Sequence, residues 1–221
     1  MKMDIIQLQN FIQATRDSGY TSVAQALAEI IDNSIEAGAT WINLQINKDA
    51  KSFEIAVLDN GCAMSPKELM NALRFGGTDR FNSRKQFGRY GMGLPNSSLS
   101  QCKRLEVFTW KNRTHTYWNY LDVDEIISCV YKRISNSKRR VLPKDFKETV
   151  DHQGTLVLWK KMDRLRAKTL GPLEKRLHYH LGQIFRYALY NNVKIDINGT
   201  ALKPFDPITV ALTYTSSPRN W

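Results

Sequence analysis

Glu29 and Asn33 stand four residues apart in the stretch AEIIDNSIEAGA, residues 28–39. In a helix that spacing sets a carboxylate and an amide side by side on one stripe of surface. A carboxylate takes a proton from water, and an amide oxygen ligates a hard cation. Alone, such a pair is most often a solvated helix face, so its meaning depends on what else the chain supplies. Three other segments bear on that. Asp59-Asn60-Gly61-Cys62-Ala63-Met64 follows a strand-like run, although Asp-Asn-Gly by itself is ordinarily a turn. Gly88, Gly91 and Gly93 close a glycine-rich stretch. It is not GxxxxGK[ST], because no lysine follows the last glycine, and its spacing and preceding element do not suit a dinucleotide fingerprint. Gly154-Thr155 opens a later apolar run.

The patterns around these residues define the elements that must position them. Residues 1–20 are polar with apolar anchors at Ile5, Ile6, Leu8, Phe11 and Ile12, and fit a short helix or arm ending near Gly19. Ser22 is placed to cap a helix whose Val23, Ala26, Leu27, Ile30 and Ser34 share one face, with Glu29, Asn33 and Glu36 to its side and Gly38 at its end. Ile42, Leu44 and Ile46 alternate with Asn43 and Gln45, and Phe53–Leu58 follows a polar turn, predicting an antiparallel pair. Ser65-Pro66-Lys67-Glu68 has the form of a capping box with proline at the first helical position, and the helix runs to Leu73.

Residues 74–90 have little periodicity, and loops of that length are usually functional, often lids. A helix is predicted from Leu94 to Cys102, then strands in LEVFTW, THTYWNYL and SCVYKRI, with an acidic helical piece near Asp122–Ile127 before the last. Asn136–Arg140 reads as a basic turn. Gly154–Trp159 is a strand, Leu170–Tyr190 is helical, and Val193–Ile197 with Asn198-Gly199 and Ala201-Leu202 predicts a hairpin that begins a new unit. The chain is expected to be the beginning of a longer protein.

Composition narrows the class. The 221 residues are 42% hydrophobic and 24% charged, enough for a full core and unlike a disordered or fibrous chain. Lys+Arg number 32 against 21 Asp+Glu, a net charge of +11. Such an excess suits nucleotides or nucleic acid, and equally a solubility device. Cys62, Cys102 and Cys129 are widely spaced without a CxxC and read as reduced thiols, and the four histidines form no zinc pattern. No apolar run approaches the roughly 18 residues of a membrane span. The expected setting is the cytoplasm, or the nucleus of a eukaryote.

In order and spacing the four segments resemble the GHKL ATPases: gyrase, the large heat-shock chaperone, histidine kinases, MutL and the MORC proteins. The family's helix E-x-x-x-N matches Glu29 and Asn33, its D-x-G-x-G matches Asp59 to Ala63, its glycine-rich lid end matches Gly88, Gly91 and Gly93, and its Gly-Thr matches Gly154-Thr155. NSIEAGAT and DNGCAM look most like MutL; FGGTD and GRYGMG look most like MORC. The resemblance covers about residues 18–160. It implies an α+β protein, a two-layer α/β sandwich of the Bergerat type, its mostly antiparallel sheet covered by helices on one face. It further implies an arm at 1–20, an ATPase domain at 21–168 with a lid at about 74–93, and a linker helix with the start of a transducer at 169–221.

The resemblance also assigns roles. Asn33 would ligate Mg2+ bridging the ATP phosphates, and Glu29 would orient and deprotonate the attacking water. Phosphoryl transfer needs mainly positioning and charge neutralisation, so one base and one metal form a sufficient core. Asp59 would accept from the adenine amino group with help from Thr155, Gly61 would let the backbone pass close to the base, Met64 and Leu94 would pack on the ring, and Ala63 would be among the nucleotide-binding residues. Gly77, Thr78, Lys85, Gly88, Arg89, Tyr90, Gly91, Met92 and Gly93 would surround the phosphates. Ala63 departs from the family's glycine, which matters if that position needs positive φ. No lysine marks the transducer contact to the γ-phosphate; Lys203 is the one lysine after Asn198. The absence of a phosphoacceptor-histidine helix weakens a kinase reading. The leading expectation is an ATP-driven switch that closes its lid, homodimerises and turns over slowly. Basic runs at Lys138–Arg140 and Lys160–Arg166 motivate a second, a nucleotide-gated DNA-binding module.

Overall fold

Eight strands form one sheet in the order β5-β4-β3-β6-β2-β1-β7-β8. The structure, a computed structural model, describes residues 6–48, 52–77, 91–112, 115–146 and 152–206. In chain order the elements are α1 (Leu8–Ser18), α2 (Val23–Glu36), β1 (Trp41–Lys48), β2 (Phe53–Asp59), α3 (Pro66–Leu73), α4 (Gly93–Leu99), β3 (Cys102–Trp110), β4 (Thr116–Asp122), α5 (Val123–Ile127), β5 (Lys138–Arg139), β6 (Gly154–Met162), α6 (Leu170–Ile184), α7 (Arg186–Tyr190), β7 (Lys194–Ile197) and β8 (Thr200–Ala201). All neighbours pair antiparallel except β1 with β7. This is the expected two-layer α/β sandwich.

Strand alternation divides the sheet into two faces. Ile42, Leu44, Ile55, Val57, Leu105, Val107, Val157 and Trp159 join Leu27, Ile30 and Ile31 of α2 and Leu173, Leu177 and Leu181 of α6 in the main core. Leu58, Phe108, Trp110, Trp118, Leu156 and Leu158 face the other way, against Leu142 and Phe146. A fully buried Leu or Ile contributes about 1.5–3 kcal/mol, so the apolar stripe of α2 is enough to hold that helix on the sheet. Ser22 takes the N-cap position of α2 without a side-chain bond. Ser65 and Glu68 do form the reciprocal capping box of α3, behind Pro66.

The amino-terminal segment is clasped to the body. Arg16 is 4% exposed, its guanidinium lies 2.6 Å from Asp163, and it donates to the Cys102 carbonyl at 3.1 Å. Arg164 answers from the opposite side, 2.5 Å from Asp17.

Several local readings are corrected. SCVYKRI is not a strand: the Ser128, Cys129, Val130 and Tyr131 amides return to carbonyls of Asp124, Ile126 and Glu125 at the end of α5, so they are unavailable to a ladder. The edge strand lies instead in the basic segment read as a turn, where Lys138 and Arg139 pair with Trp118 and Tyr117. The helix read as Leu170–Tyr190 breaks at Phe185, which buries its ring (4% exposed) and separates α6 from α7. The terminal hairpin does not open a separate sheet. β7 runs parallel to β1, and Asn198 accepts from the Ile46 amide at 2.8 Å and donates to its carbonyl at 3.2 Å, extending the ladder with a side chain.

Candidate active site

A cavity of about 520 Å³ lies between α2, α3, α4 and the sheet. Its walls include Glu29, Asn33, Asp59, Ala63, Met64, Gly77, Gly91, Gly93, Leu94 and Thr155. Four distant stretches of sequence therefore meet at one site. Gly61 and Met92 are not among its walls, and Met92 is 37% exposed. Thr78, Lys85, Gly88, Arg89 and Tyr90 lie outside the described residues. On either side of them, Gly76 donates its amide to the Gly91 carbonyl at 3.1 Å, so the two ends of that segment meet at the cavity mouth.

The floor is built by strand register. Asp59 ends β2 opposite Thr155 on β6. Its Oδ2 accepts from the Ser34 hydroxyl at 2.8 Å, and its Oδ1 accepts from the Gly61 amide at 2.9 Å. Burial pushes the Asp59 carboxyl above its ordinary range, while Ser34 and the Gly61 and Thr155 backbone N–H groups pull the other way. Thr109 Oγ1 accepts from the Met64 amide at 2.9 Å and lies 3.4 Å from Thr155 Oγ1. Asn60 turns away and binds the Thr40 and Trp41 amides, both at 3.0 Å, which fastens the turn to β1. Gly154 lets the start of β6 lie close against the end of β2, since a Cβ there would stand 2.1 Å from the Asp59 carbonyl oxygen. Ala63 is buried and is not among the positive-φ residues, so the alanine carries no backbone strain.

The mouth is built on a helix surface. Glu29 and Asn33 are both half-buried, one turn apart on α2. Glu29 Oε2 accepts from the Tyr20 hydroxyl at 3.1 Å. Desolvation, and then the Glu29 carboxylate, push the Tyr20 hydroxyl up to about 12, so it stays a donor. Glu29 Oε1 rests directly on Gly93: a Cβ built there would come within 1.9 Å of it. Tyr20 is itself tied down through its carbonyl, which accepts from Gln101 Nε2 at 2.6 Å. Asp32 does not line the cavity. It is exposed, yet its carboxyl is pushed up to about 6, first by desolvation against the helix and then by the Glu29 and Glu36 carboxylates.

Sequence reasoning missed Ser34, Thr109 and Tyr20 as site residues. Ser34 was visible as a polar residue on an apolar helix face; Thr109 and Tyr20 had no signal, because register and a chain reversal bring them in.

A cavity between a helix layer and an antiparallel sheet, with a buried acid at its floor and a carboxylate–amide pair at its mouth, defines a nucleotide-binding domain. The family of histidine kinase-, DNA gyrase B- and HSP90-like ATPases matches residues 20–152, and the chain belongs to it. It is therefore an ATP-binding domain of the GHKL type. The chain is 33% identical over 124 residues to ATPase MORC2B of Mus musculus, covering 51% of this chain and 12% of that protein. It is 37% identical over 95 residues to MORC family CW-type zinc finger protein 1 of Homo sapiens, covering 41% and 10%. To the DNA mismatch repair protein MutL of Paramagnetospirillum magneticum it is 40% identical over 101 residues, covering 43% and 16%. These matches span a small part of the relatives' lengths. A crystal structure of the N-terminal domain of a DNA repair protein shares the fold at a TM-score of 0.53 and 18% identity, covering 86% of this chain and 54% of that one. Among the described residues no helix is long and apolar enough to cross a membrane.

Proposed function

We propose that this chain binds ATP with Mg2+ and hydrolyses it slowly as the switch of a DNA-associated, MutL- or MORC-like protein. What carries the reading is the juxtaposition of Glu29 and Asn33 on the wall of a cavity whose floor is the buried Asp59. The buried Asp59 carboxylate selects adenine by accepting from its exocyclic amine; a base offering a carbonyl there would leave Asp59 and Thr155 without a donor. Leu94, Ala63 and Met64 cover the ring. Glu29 is the general base for water, held from one side by Tyr20 and leaving the oxygen over Gly93 to face the phosphates.

Among the described residues no cluster of three or more His, Cys, Asp or Glu could hold a metal. Mg2+ keeps several waters and substrate phosphate oxygens and needs few protein ligands, here the Asn33 amide oxygen. When bound, the ion supplies charge neutralisation on the phosphates. The segment at about 74–93 is the lid we propose, and its described ends pair at Gly76 and Gly91; Thr78, Lys85, Gly88, Arg89 and Tyr90, proposed for the phosphate end, lie outside the described residues. Lid closure favours a homodimer through the amino-terminal segment, and such conformational steps keep turnover slow.

The test is Glu29→Gln. Phosphate release should fall about 10²–10⁴-fold while calorimetric ATP binding is retained; wild-type turnover in this variant overturns the assignment of the base. Asn33→Ala should remove the Mg2+-dependent part of nucleotide affinity.

A further inference from the structure

We propose that the β5 edge of the sheet, with the loops on either side of it, is a landing surface for the phosphate backbone of duplex DNA. The inference rests on the DNA-associated reading above and adds where contact is made. The chain has two basic runs, and the fold treats them differently. In the first, Lys160 lies 3.6 Å from Glu106, Lys161 lies 2.9 Å from Asp122, and Arg164 lies 2.5 Å from Asp17. Those cations already have partners within the molecule.

The second run is open. Between residues 132 and 146, Lys132, Arg133, Lys138, Arg139, Arg140 and Lys144 are all exposed, and Asp145 is the one acidic residue. Among the described residues none of these six cations forms an ion pair. The segment is also held in shape. Ser137 Oγ donates to the Pro66 carbonyl at 2.9 Å, Asn119 Nδ2 donates to the Ser135 carbonyl at 2.9 Å, and Arg140 lies over the Trp118 ring at 4.4 Å. β5 ends the sheet, so its alternating side chains set cations on both sides of one edge. A fixed row of long cations suits a polyanion with regularly spaced charges.

Ring burial decides which nucleic acid. Trp118 is 8% exposed beneath Arg140, and Tyr131 is 9% exposed. Among the described residues the surface thus offers no exposed aromatic platform for unstacked bases, such as single-strand binders present. The exposed apolar groups here are Val130 and Val141, too small to anchor a lipid surface. Phosphates of a duplex need neither. The Ser137–Pro66 bond also joins this edge to α3, whose Glu68, Asn71 and Ala72 wall the cavity, so DNA and nucleotide bear on one helix.

The test is fluorescence anisotropy with labelled random-sequence duplex across a salt series, using the full chain. In Lys138→Glu/Arg139→Glu/Lys144→Glu the slope of log affinity against log salt should become shallower by about 2–3. The same charge change at Lys168, Lys175 and Arg176 should leave it unaltered. The neutral pair Lys138→Gln/Arg139→Gln, which leaves the fold's own bonds intact, should remove about 2 of that slope. Equal losses in the β5 and control variants would overturn the surface, as would stronger binding to single-stranded DNA, RNA or phosphatidylserine vesicles than to duplex. Failure of the wild-type chain to bind duplex at low salt would overturn the DNA-associated reading itself. ATP turnover of the wild-type chain would be unaffected by either result.

Discussion

At its floor the cavity is a closed hydrogen-bond set; at its mouth it is a carboxylate held by one hydroxyl and one glycine. Asp59 is 5% exposed and has its partners supplied by the turn after β2, β6 and α2. Among the described residues Glu29 has a single side-chain hydrogen-bond partner, Tyr20, and a bare Cα beneath its other oxygen. The difference follows from what each end has to do. A site that recognises a fixed base works best with all its polar groups preset, because an unpaired buried group penalises the wrong ligand. A general base needs an oxygen left free for water.

That contrast is open to experiment. The largest effect is expected from Gly93→Ala at the mouth. Its methyl would take the space of Glu29 Oε1, so phosphate release should fall about 10²-fold or more with the fold retained. Near-normal turnover would show that the close approach is not needed. At the floor, Asp59→Asn should weaken ATP binding by about 1–3 kcal/mol and narrow the preference for ATP over GTP, measured by calorimetry with both nucleotides.

The same variant carries a pH signature. Burial raises the folded pKa of Asp59 above its unfolded value of about 3.9, so the native state holds its proton longer. Its ionisation then costs stability as pH rises through that window, and the cost persists to neutrality. Urea unfolding should show the stability of Asp59→Asn relative to wild type growing as pH rises above about 4, and flat below it. The smallest effect is expected from Tyr20→Phe. Removing one hydrogen bond of about 1 kcal/mol should lower kcat several-fold with KM nearly unchanged. A change confined to KM would make Tyr20 a binding residue.

Much of this was legible because it is local. The α2 stripe, the Ile42–Ile46 alternation and the Ser65–Glu68 capping box depend on neighbours within a few residues, and the structure has them where the patterns put them. The readings that failed depended on distant partners. Whether residues 128–134 form a strand was decided by α5 recapturing the amides of 128–131, and whether the last hairpin stood apart was decided by β1 offering an open edge.

The sequence by itself determined the family, through four motifs whose residue types and order suit one chemistry, and with it the two-layer sandwich. Only the tertiary structure decided that Ser34 and Thr109 complete the floor, that Tyr20 holds Glu29, and that Lys160, Lys161 and Arg164 of one basic run are paired while the other run is open. The reason is physical. Residue type and short spacing are written along the chain, but a hydrogen bond from residue 20 to 29 across a chain reversal, or an ion pair from residue 164 to 17, exists only once strand register and helix packing set the distance.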